Sequence, residues 1–366
     1  MNRPFAYSII VCTYNRAAIL RECLHAVIME MTHTAQRGEL MVIDNDSTDD
    51  TRLAVENVGE SATSIVFRYV LEPVPGLARA RNRGVDEARG NILVFLDDDA
   101  IVHSGWLQTC LDAFRTDPEI AAVGGEILPR SVVSFPSWFC PPLTKVYSVI
   151  SLDGRLDGGP TNVNWLKERV GSPVGRFRPY PGAEHPLGAN MAFARDVFAN
   201  RRFSTTLGRS GADLIGSEEA EIFFRLRSDN RRVAYASDMR VDHVIAADRL
   251  TEEWVVRRYW FDGVSRARMR LGWRQRTTDA ISMIAKLGWL GLTGPFHSST
   301  YNELLWRCRV AKSLGFLSEV AYETVPRARR RSRAPLAGTV LGTGYGASRK
   351  GTSMSRLEGE PGDALH

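Results

Sequence analysis

Three carboxylates stand in a row at Asp97, Asp98 and Asp99, directly after the apolar run Ile92-Leu93-Val94-Phe95-Leu96. Such a run suits a strand buried on both faces of a parallel sheet. Adjacent carboxylates repel each other, so folding alone gives no reason to gather them at a strand end. A hard divalent cation removes the repulsion, and Mg²⁺ or Mn²⁺ takes oxygen ligands together with phosphate oxygens. Ligands of open α/β sheets collect at the carboxyl edge, where this triplet would lie. The plain alternative is a solvated acidic turn, and the rest of the chain decides between the two.

Two more strand ends carry comparable chemistry. Tyr7 to Cys12 reads as a first strand, broken by Thr13-Tyr14-Asn15-Arg16. Glu39 to Ile43 reads as a second, ending in Asp44-Asn45-Asp46-Ser47-Thr48-Asp49-Asp50. In a doubly wound sheet these ends meet the Asp triplet in one crevice. There Tyr14 can stack on a base and Asp44 can accept a hydrogen bond from a base N–H. Arg81 can meet a diphosphate with its fork of donors. Asp97 and Asp99 can hold a metal that bridges two phosphates. Each has a plainer reading: Tyr14 as a turn aromatic, Asp44 as a loop cap, and Arg79, Arg81 and Arg83 as a solvated helix face. Their order along the chain is more specific than any one of them.

The elements that must position these residues follow from periodicity. Leu20, Cys23, Leu24, Val27, Ile28 and Met31 fall at helical spacing. Ser47 with Asp50 resembles a capping-box start, which predicts a short helix running to about Val58. Ile65 to Val70 reads as a third strand. The turn Pro73-Val74-Pro75-Gly76 leads into a helix stopped at Gly90, and Ser104 is placed to cap another with Leu107, Cys110, Leu111 and Phe114 inside. Strands alternating with helices predict an α/β fold with a doubly wound, mostly parallel sheet. After Gly125 the rhythm changes. Residues 126–180 are rich in Pro, Gly and Trp and suit a binding region. A strand-like Gly188 to Phe193, an acidic helix start over Ser217 to Arg227 and a last strand over Val233 to His243 follow. Residues 251–325 read as a C-terminal helical extension in which Trp254, Tyr259, Trp260, Phe261 and Trp273 mix with arginines. Four regions result: 1–125, 126–250, 251–325, and 326–366 as a disordered basic tail.

The formal net charge is +5, and the eight Lys or Arg and three Asp or Glu of residues 326–366 account for all of it. The basic balance therefore belongs to the tail and calls for no specific nucleic-acid partner. The five cysteines show neither metal spacing nor a disulfide framework, which predicts a reducing, cytoplasmic compartment. No apolar run reaches the ~20 residues a bilayer span needs. Gly342-Thr-Gly-Tyr-Gly346 follows no strand and opens no helix, so it is neither a dinucleotide fingerprint nor a P-loop.

Ser8 to Arg16, Val42 to Thr51, Gly76 to Gly84 and Val94 to Ala100 together resemble the family 2 glycosyltransferases, in order and in spacing. The resemblance covers about residues 5–250 and is strong in the first half. It implies a fold of the nucleotide-diphospho-sugar transferase type, Mg²⁺ or Mn²⁺, and inversion at the sugar carbon. It implies that Thr13, Tyr14 and Asp44 lie against the base, with Asn15 and Arg16 in the same donor-binding turn. Arg81 would lie near the diphosphate and Asp98 on the ribose. Asp99, with Asp97, would reach the metal, and His243 in Asp242-His-Val244 would join it or the diphosphate. Gly188 and Asn190 resemble the acceptor-side segment. Gly216-Ser-Glu-Glu-Ala-Glu221 sits where the family has Gly-x-Glu-Asp. Glu219 therefore stands in for the usual Asp as general base, with Glu218 and Glu221 as alternatives.

These observations predict an inverting glycosyltransferase acting on a saccharide, lipid-linked or protein acceptor in polysaccharide or glycoconjugate synthesis. Residues 251–325 would either supply peripheral contact with the cytoplasmic membrane face or pack their aromatics onto the domain or an oligomer partner. A sugar nucleotidyltransferase is disfavoured, because Thr-Tyr-Asn-Arg replaces the Gly-rich basic loop after the first strand. A non-catalytic polyanion- or membrane-binding protein driven by the basic C-terminal part is the rival from another class.

Overall fold

The computed structural model describes residues 5–152, 177–180, 184–209, 213–269, 273–293 and 299–324. The tail 326–366, the Gly342–Gly346 segment and much of the irregular 126–180 region lie outside the described residues.

The first strand, β1 (Phe5–Thr13), is buried along almost its whole length, as its unbroken apolar sequence requires. It lies between β2 (Gly38–Asp44) and β4 (Gly90–Asp97), parallel to both, and β3 (Val66–Leu71) extends the sheet beyond β2. Four further strands continue it on the other side. β8 (Met191–Ala194) runs antiparallel beside β4, then come β6 (Ile120–Arg130), β9 (Arg232–Val244) and β5 (Ala100–Val102), while the two-residue β7 (Arg178–Pro179) pairs with β9. The sheet is parallel from β3 to β4 and mixed beyond.

Alternation along each strand builds two cores. Ile9, Val11, Val42 and Val94 point to one face. There they meet Leu20, Cys23 and Leu24 of α1 (Ala17–Thr32), Val55 of α2 (Thr51–Ser61), and Trp106 and Cys110 of α4 (Trp106–Thr116). Ile10, Cys12, Ile43 and Phe95 point to the other. They meet Ala78 and Val85 of α3 (Leu77–Glu87) and Ile222 and Phe223 of α5 (Glu218–Ser228). Helices on both faces make the sheet doubly wound, as expected.

Three local signals act differently from their sequence reading. Ser47 does not start α2, which begins at Thr51; its Oγ accepts the Asn15 N–H at 2.9 Å. Gly90 does not stop α3, which ends at Glu87; it opens β4. Ser104 does not cap α4. The Glu30 carboxylate does, accepting the Gly105 and Leu107 N–H groups at 3.1 Å each. A cap lent by a helix 75 residues away leaves no local trace.

The C-terminal part is helical throughout its described residues: α6 (Glu252–Arg268), α7 (Trp273–Thr293) and α8 (Thr300–Thr324). The Thr251 hydroxyl caps α6 by accepting the Trp254 N–H. Residues 1–324 form one compact unit. The α6 aromatics are not a free face: Trp254 stacks on Tyr147 at 4.8 Å, the Tyr259 hydroxyl donates to the Pro142 carbonyl, and Trp260 is buried. Exposed apolar side chains lie on α7 instead, at Ile281, Ile284, Trp289 and Leu292. Among the described residues, no helix is long and apolar enough to cross a membrane.

Helices α6 and α8 touch backbone to backbone at two glycines. A Cβ on Gly263 would lie 2.0 Å from the Lys312 carbonyl oxygen, and one on Gly315 would lie 2.1 Å from that of Trp260. Neither obstacle can rotate away, since both are main chain. Gly263→Ala should therefore force the two helices apart. The expected cost is about 1–3 kcal/mol or more, read as a lower midpoint in thermal or urea unfolding. Gly288→Ala on α7, where a Cβ meets nothing, is the matched control and should not destabilise.

Candidate active site

Strand register brings the first group of residues together. Thr13 pairs with Asp44 across β1 and β2, and Cys12 pairs with Asp97 across β1 and β4. Three carboxyl ends are therefore level, and their loops form one rim. Asn15 sits at φ 53°, and its Oδ1 accepts the Thr48 and Asp49 N–H groups, tying the β1 and β2 loops to each other. Asp44 is buried: one oxygen accepts the Ser47 N–H at 3.0 Å, the other the Tyr69 hydroxyl at 2.8 Å. It thus acts as the loop cap that the plainer reading allowed. Tyr14 is half exposed on the rim.

The three aspartates diverge. Asp97 Oδ1 accepts from Arg81 Nη2 at 2.9 Å. Asp98 accepts the Thr13 hydroxyl at 2.8 Å and Arg16 Nη1 at 3.1 Å. Asp99 meets Arg16, Arg249 and His243. Burial pushes the Asp98 carboxyl up to about 7; Arg16 pulls it down and the Asp99 charge pushes it up again. Asp99 is held well below the usual carboxylate range, because His243 and Arg16 outweigh its burial.

His243 reaches this edge through a short strand that the sequence reading did not find. β5 follows Asp99 directly and pairs antiparallel with β9, setting Ala100 opposite His243. The Asp99 carbonyl also accepts the Val244 N–H at 2.8 Å. His243 Nε2 lies 3.2 Å from Asp99 Oδ1, and Nδ1 lies 2.7 Å from the Tyr147 carbonyl. A carbonyl only accepts, so Nδ1 carries a proton and Nε2 faces a carboxylate. Burial pulls the imidazole pKa down, and the Asp99 carboxylate more than offsets it, so the pKa is raised.

The same pair fits a divalent cation. Two ligands at ~2.1 Å on adjacent octahedral positions stand about 3 Å apart, close to the Asp99–His243 separation. A carbonyl on the far nitrogen is the usual second partner of a metal-bound histidine. Among the described residues, no three His, Cys, Asp or Glu side chains converge as a ready-made cluster. Of the expected trio Asp97, Asp99 and His243, the structure brings Asp99 and His243 into contact, while Asp97 turns to Arg81. Phosphate oxygens and water would complete such a site, as is usual for Mg²⁺.

Arg81 connects the Asp rim to the second half of the chain. Its side chain is almost fully buried, and Nη1 donates to Glu218 Oε1 at 2.6 Å while Nη2 holds Asp97. Gly188 packs on the guanidinium so closely that a Cβ there would lie 2.3 Å from Nη2. Gly188 thus backs Arg81, a role that explains its identity better than an acceptor contact. Asn190 is also corrected. It is fully buried, donates to the Glu126 and Met239 carbonyls and accepts from Trp106 Nε1 at 2.9 Å, so it locks strands and helix together out of reach of any acceptor.

The two glutamates at the start of α5 face different ways. Glu218 is buried against Arg81, and its second oxygen has no hydrogen-bond partner. Burial first, then the neighbouring Glu219 charge, push its carboxyl up to about 7, against the pull of Arg81. Glu219 lines a cavity of about 660 Å³ between α5, the turn at Leu143–Tyr147 and the C-terminal helices. Glu221 turns back to Arg225 within α5.

The doubly wound α/β sheet, with this rim at its carboxyl edge, has the fold of nucleotide-sugar transferases. A mannosyltransferase from Pyrobaculum calidifontis, solved with GDP-Man and Mn²⁺, superposes with a TM-score of 0.55 over 88% of each chain at 17% identity, which speaks for the fold. Residues 8–199 match the model of glycosyl transferase family 2, and the chain belongs to that family. It is a glycosyltransferase. It is 25% identical to the glucosyl-dolichyl phosphate glucuronosyltransferase of Haloferax volcanii over 276 residues, 74% of this chain and 80% of that one. It is likewise 25% identical to the succinoglycan biosynthesis protein ExoM of Rhizobium meliloti over 272 residues, 73% of this chain and 76% of that one.

Glu218 provides a test of this geometry through pH. Its proton affinity is higher folded than unfolded, so the folded state is favoured as pH falls through about 7 toward the ordinary glutamate range. Glu218→Gln removes that contribution. On acidification from pH 8 to 5, the wild type should gain melting temperature relative to Glu218→Gln. Parallel curves for the two proteins would remove the buried, proton-binding assignment.

Proposed function

We propose that the protein transfers a sugar, with inversion, from a nucleotide-diphospho-sugar to an acceptor hydroxyl. The observation that carries this reading is the Arg81 bridge, which links the Asp97 rim to Glu218, one residue from a carboxylate that opens onto a separate cavity. Donor and acceptor chemistry then lie on two sides of one buried guanidinium.

The donor side draws on residues already held in place. Tyr14 offers an exposed ring for the base. Asp44 carries the loop that would receive it. Asp98, oriented by Thr13, faces the ribose. Asp99 and His243 would hold Mg²⁺ or Mn²⁺, which when bound offsets the charge on the departing diphosphate. Arg16 and Arg249, beside Asp99, offer further positive charge to the phosphates.

On the acceptor side Glu219 accepts the hydroxyl proton. The acceptor oxygen forms its bond to the anomeric carbon from the face opposite the diphosphate. The bond between that carbon and the phosphate oxygen breaks, and its electron pair leaves with the nucleoside diphosphate. Glu218 keeps Arg81 placed rather than taking the proton, because its ion pair is closed off from the cavity.

Two measurements test these roles. Glu219→Gln keeps the shape of the side chain but cannot take a proton, so turnover should fall by about 10²-fold or more with donor affinity nearly unchanged. Glu221→Gln is the control, since Glu221 pairs with Arg225; a dead Glu221→Gln beside an active Glu219→Gln would move the base along α5. Asp99→Ala should weaken Mn²⁺ binding in the presence of a nucleoside diphosphate by about tenfold or more, followed by electron paramagnetic resonance. Unchanged Mn²⁺ binding would remove Asp99 from the metal site. The rival reading as a sugar nucleotidyltransferase lacks a supporting observation.

A further inference from the structure

The wall of the 660 Å³ cavity carries a second group with a free lone pair. His185 lines the cavity together with Glu219. The two are neighbours through α5. Glu219 and Phe223 stand four residues apart on that helix, so they share a face, about 5.4 Å apart along the axis. The His185 imidazole stacks on the Phe223 ring, with centroids 5.4 Å apart and planes 16° from parallel. Phe193 of β8 also stacks on Phe223, at 5.2 Å and 21°, so three near-parallel rings form one column.

The backbone fixes which nitrogen carries the proton. His185 Nδ1 lies 2.8 Å from the Pro186 carbonyl oxygen. A carbonyl only accepts, so Nδ1 carries the hydrogen and Nε2 keeps its lone pair. Among the described residues, no hydrogen-bond donor meets that lone pair. The segment is held in place on both sides of the bond. A Cβ on Gly124 of β6 would lie 2.5 Å from Pro186 Cβ, and the Leu187 carbonyl accepts the Asn190 N–H at 2.9 Å. The same segment carries Gly188, which backs Arg81. The ring is also kept neutral. Burial lowers its pKa, Arg227 and Lys145 add to the pull, and the Pro186 carbonyl and Glu184 oppose it. The plainer role of His185 is to be the third ring of the column. A phenylalanine would fill that role and bring no lone pair to the cavity wall.

We propose that His185 Nε2 accepts a hydrogen bond from a second hydroxyl of the acceptor substrate, next to the hydroxyl that Glu219 deprotonates. The two side chains then read a pair of hydroxyls on neighbouring carbons of a sugar ring, and so select the position that is glycosylated. Two such hydroxyls, each held by a bond of about 2.8 Å, suit groups spaced by about one helical turn. A lone hydroxyl answers Glu219 and leaves His185 unanswered. No bond forms or breaks at His185, which keeps its Nδ1 proton and takes no other. The assignment rests on the glycosyltransferase reading of Glu219, but its test does not use turnover.

The test is nuclear magnetic resonance of the full chain labelled with ¹⁵N-histidine. The His185 signals are assigned by their loss in His185→Phe or, should that protein not fold, in His185→Gln. The probes are methyl β-D-glucopyranoside, methyl β-D-galactopyranoside and methyl α-D-mannopyranoside, which differ in the arrangement of neighbouring hydroxyls. Cyclohexanol, with one hydroxyl, is the control. Without a probe, Nδ1 should show an attached proton and Nε2 none. At least one glycoside should move the Nε2 signal toward the range of a protonated nitrogen and leave Nδ1 in place, while cyclohexanol moves neither. His185→Phe keeps the ring column, so it should hold its melting temperature and yet bind that glycoside about fivefold or more weakly, the scale of one lost hydrogen bond. A proton on Nε2 in the free protein, no response to any of the three glycosides, or full affinity in His185→Phe would each overturn the assignment. An equal response to cyclohexanol would overturn the two-hydroxyl part. Failure of the enzyme reading is separate: it would show as no nucleoside diphosphate release from any nucleotide sugar.

Discussion

Mutual repulsion among Asp97, Asp98 and Asp99 is the constraint around which the molecule is arranged. Three consecutive carboxylates at the end of a buried strand fold only if cations come to them, and each cation arrives from a different part of the chain. Arg81 comes from α3, Arg16 from the turn after β1, His243 from the end of β9 and Arg249 from just beyond it. The cluster therefore joins both halves of the sheet by charge. A buried carboxylate left without its partner is typically worse than no ion pair at all. The same groups that answer the repulsion are the ones a nucleotide diphosphate and a divalent cation would address.

Arg81 shows how one interaction connects the Asp rim to the start of α5. Its guanidinium is planar and rigid, so the Asp97 and Glu218 contacts are made at once or not at all. Gly188 leaves it no room to move back, and the ring of Phe203 lies 5.8 Å from it on another side. Glu218 is thereby confined, and the next residue of α5 is turned toward the cavity. The helical step of about 100° between neighbours separates the two carboxylates into different environments. A buried acid of raised proton affinity stands beside one that lines the cavity.

The C-terminal helices belong to this arrangement rather than being appended to it. Tyr147 touches Trp254, its hydroxyl donates to the Arg249 carbonyl, and its own carbonyl accepts from His243. A single residue at the end of the Leu143–Tyr147 turn thus supports both the candidate metal ligand and the docking of α6. The Ser265 hydroxyl accepts the Gly216 N–H, which ties α6 to the approach to α5. Burial of the α6 aromatics follows from these contacts.

The sequence by itself determined the doubly wound part, because unbroken apolar strands alternating with helical stripes are local patterns. The order of Thr13–Arg16, Asp44, Arg81 and Asp97–Asp99 was legible through its resemblance to a family pattern, and α5 through its acidic first turn. What only tertiary structure decided were pairings between distant residues. Nothing near Glu30 announces that it caps α4. Nothing near Asn190 tells an acceptor contact from a buried lock between strands. The three-residue strand β5 is too short to carry a periodic signal, yet its pairing with β9 brings His243 to Asp99. The split between Glu218 and Glu219 depended on where Arg81 lies, 137 residues from Glu218. Periodicity reports which face of an element is buried; it does not report which partner is waiting there.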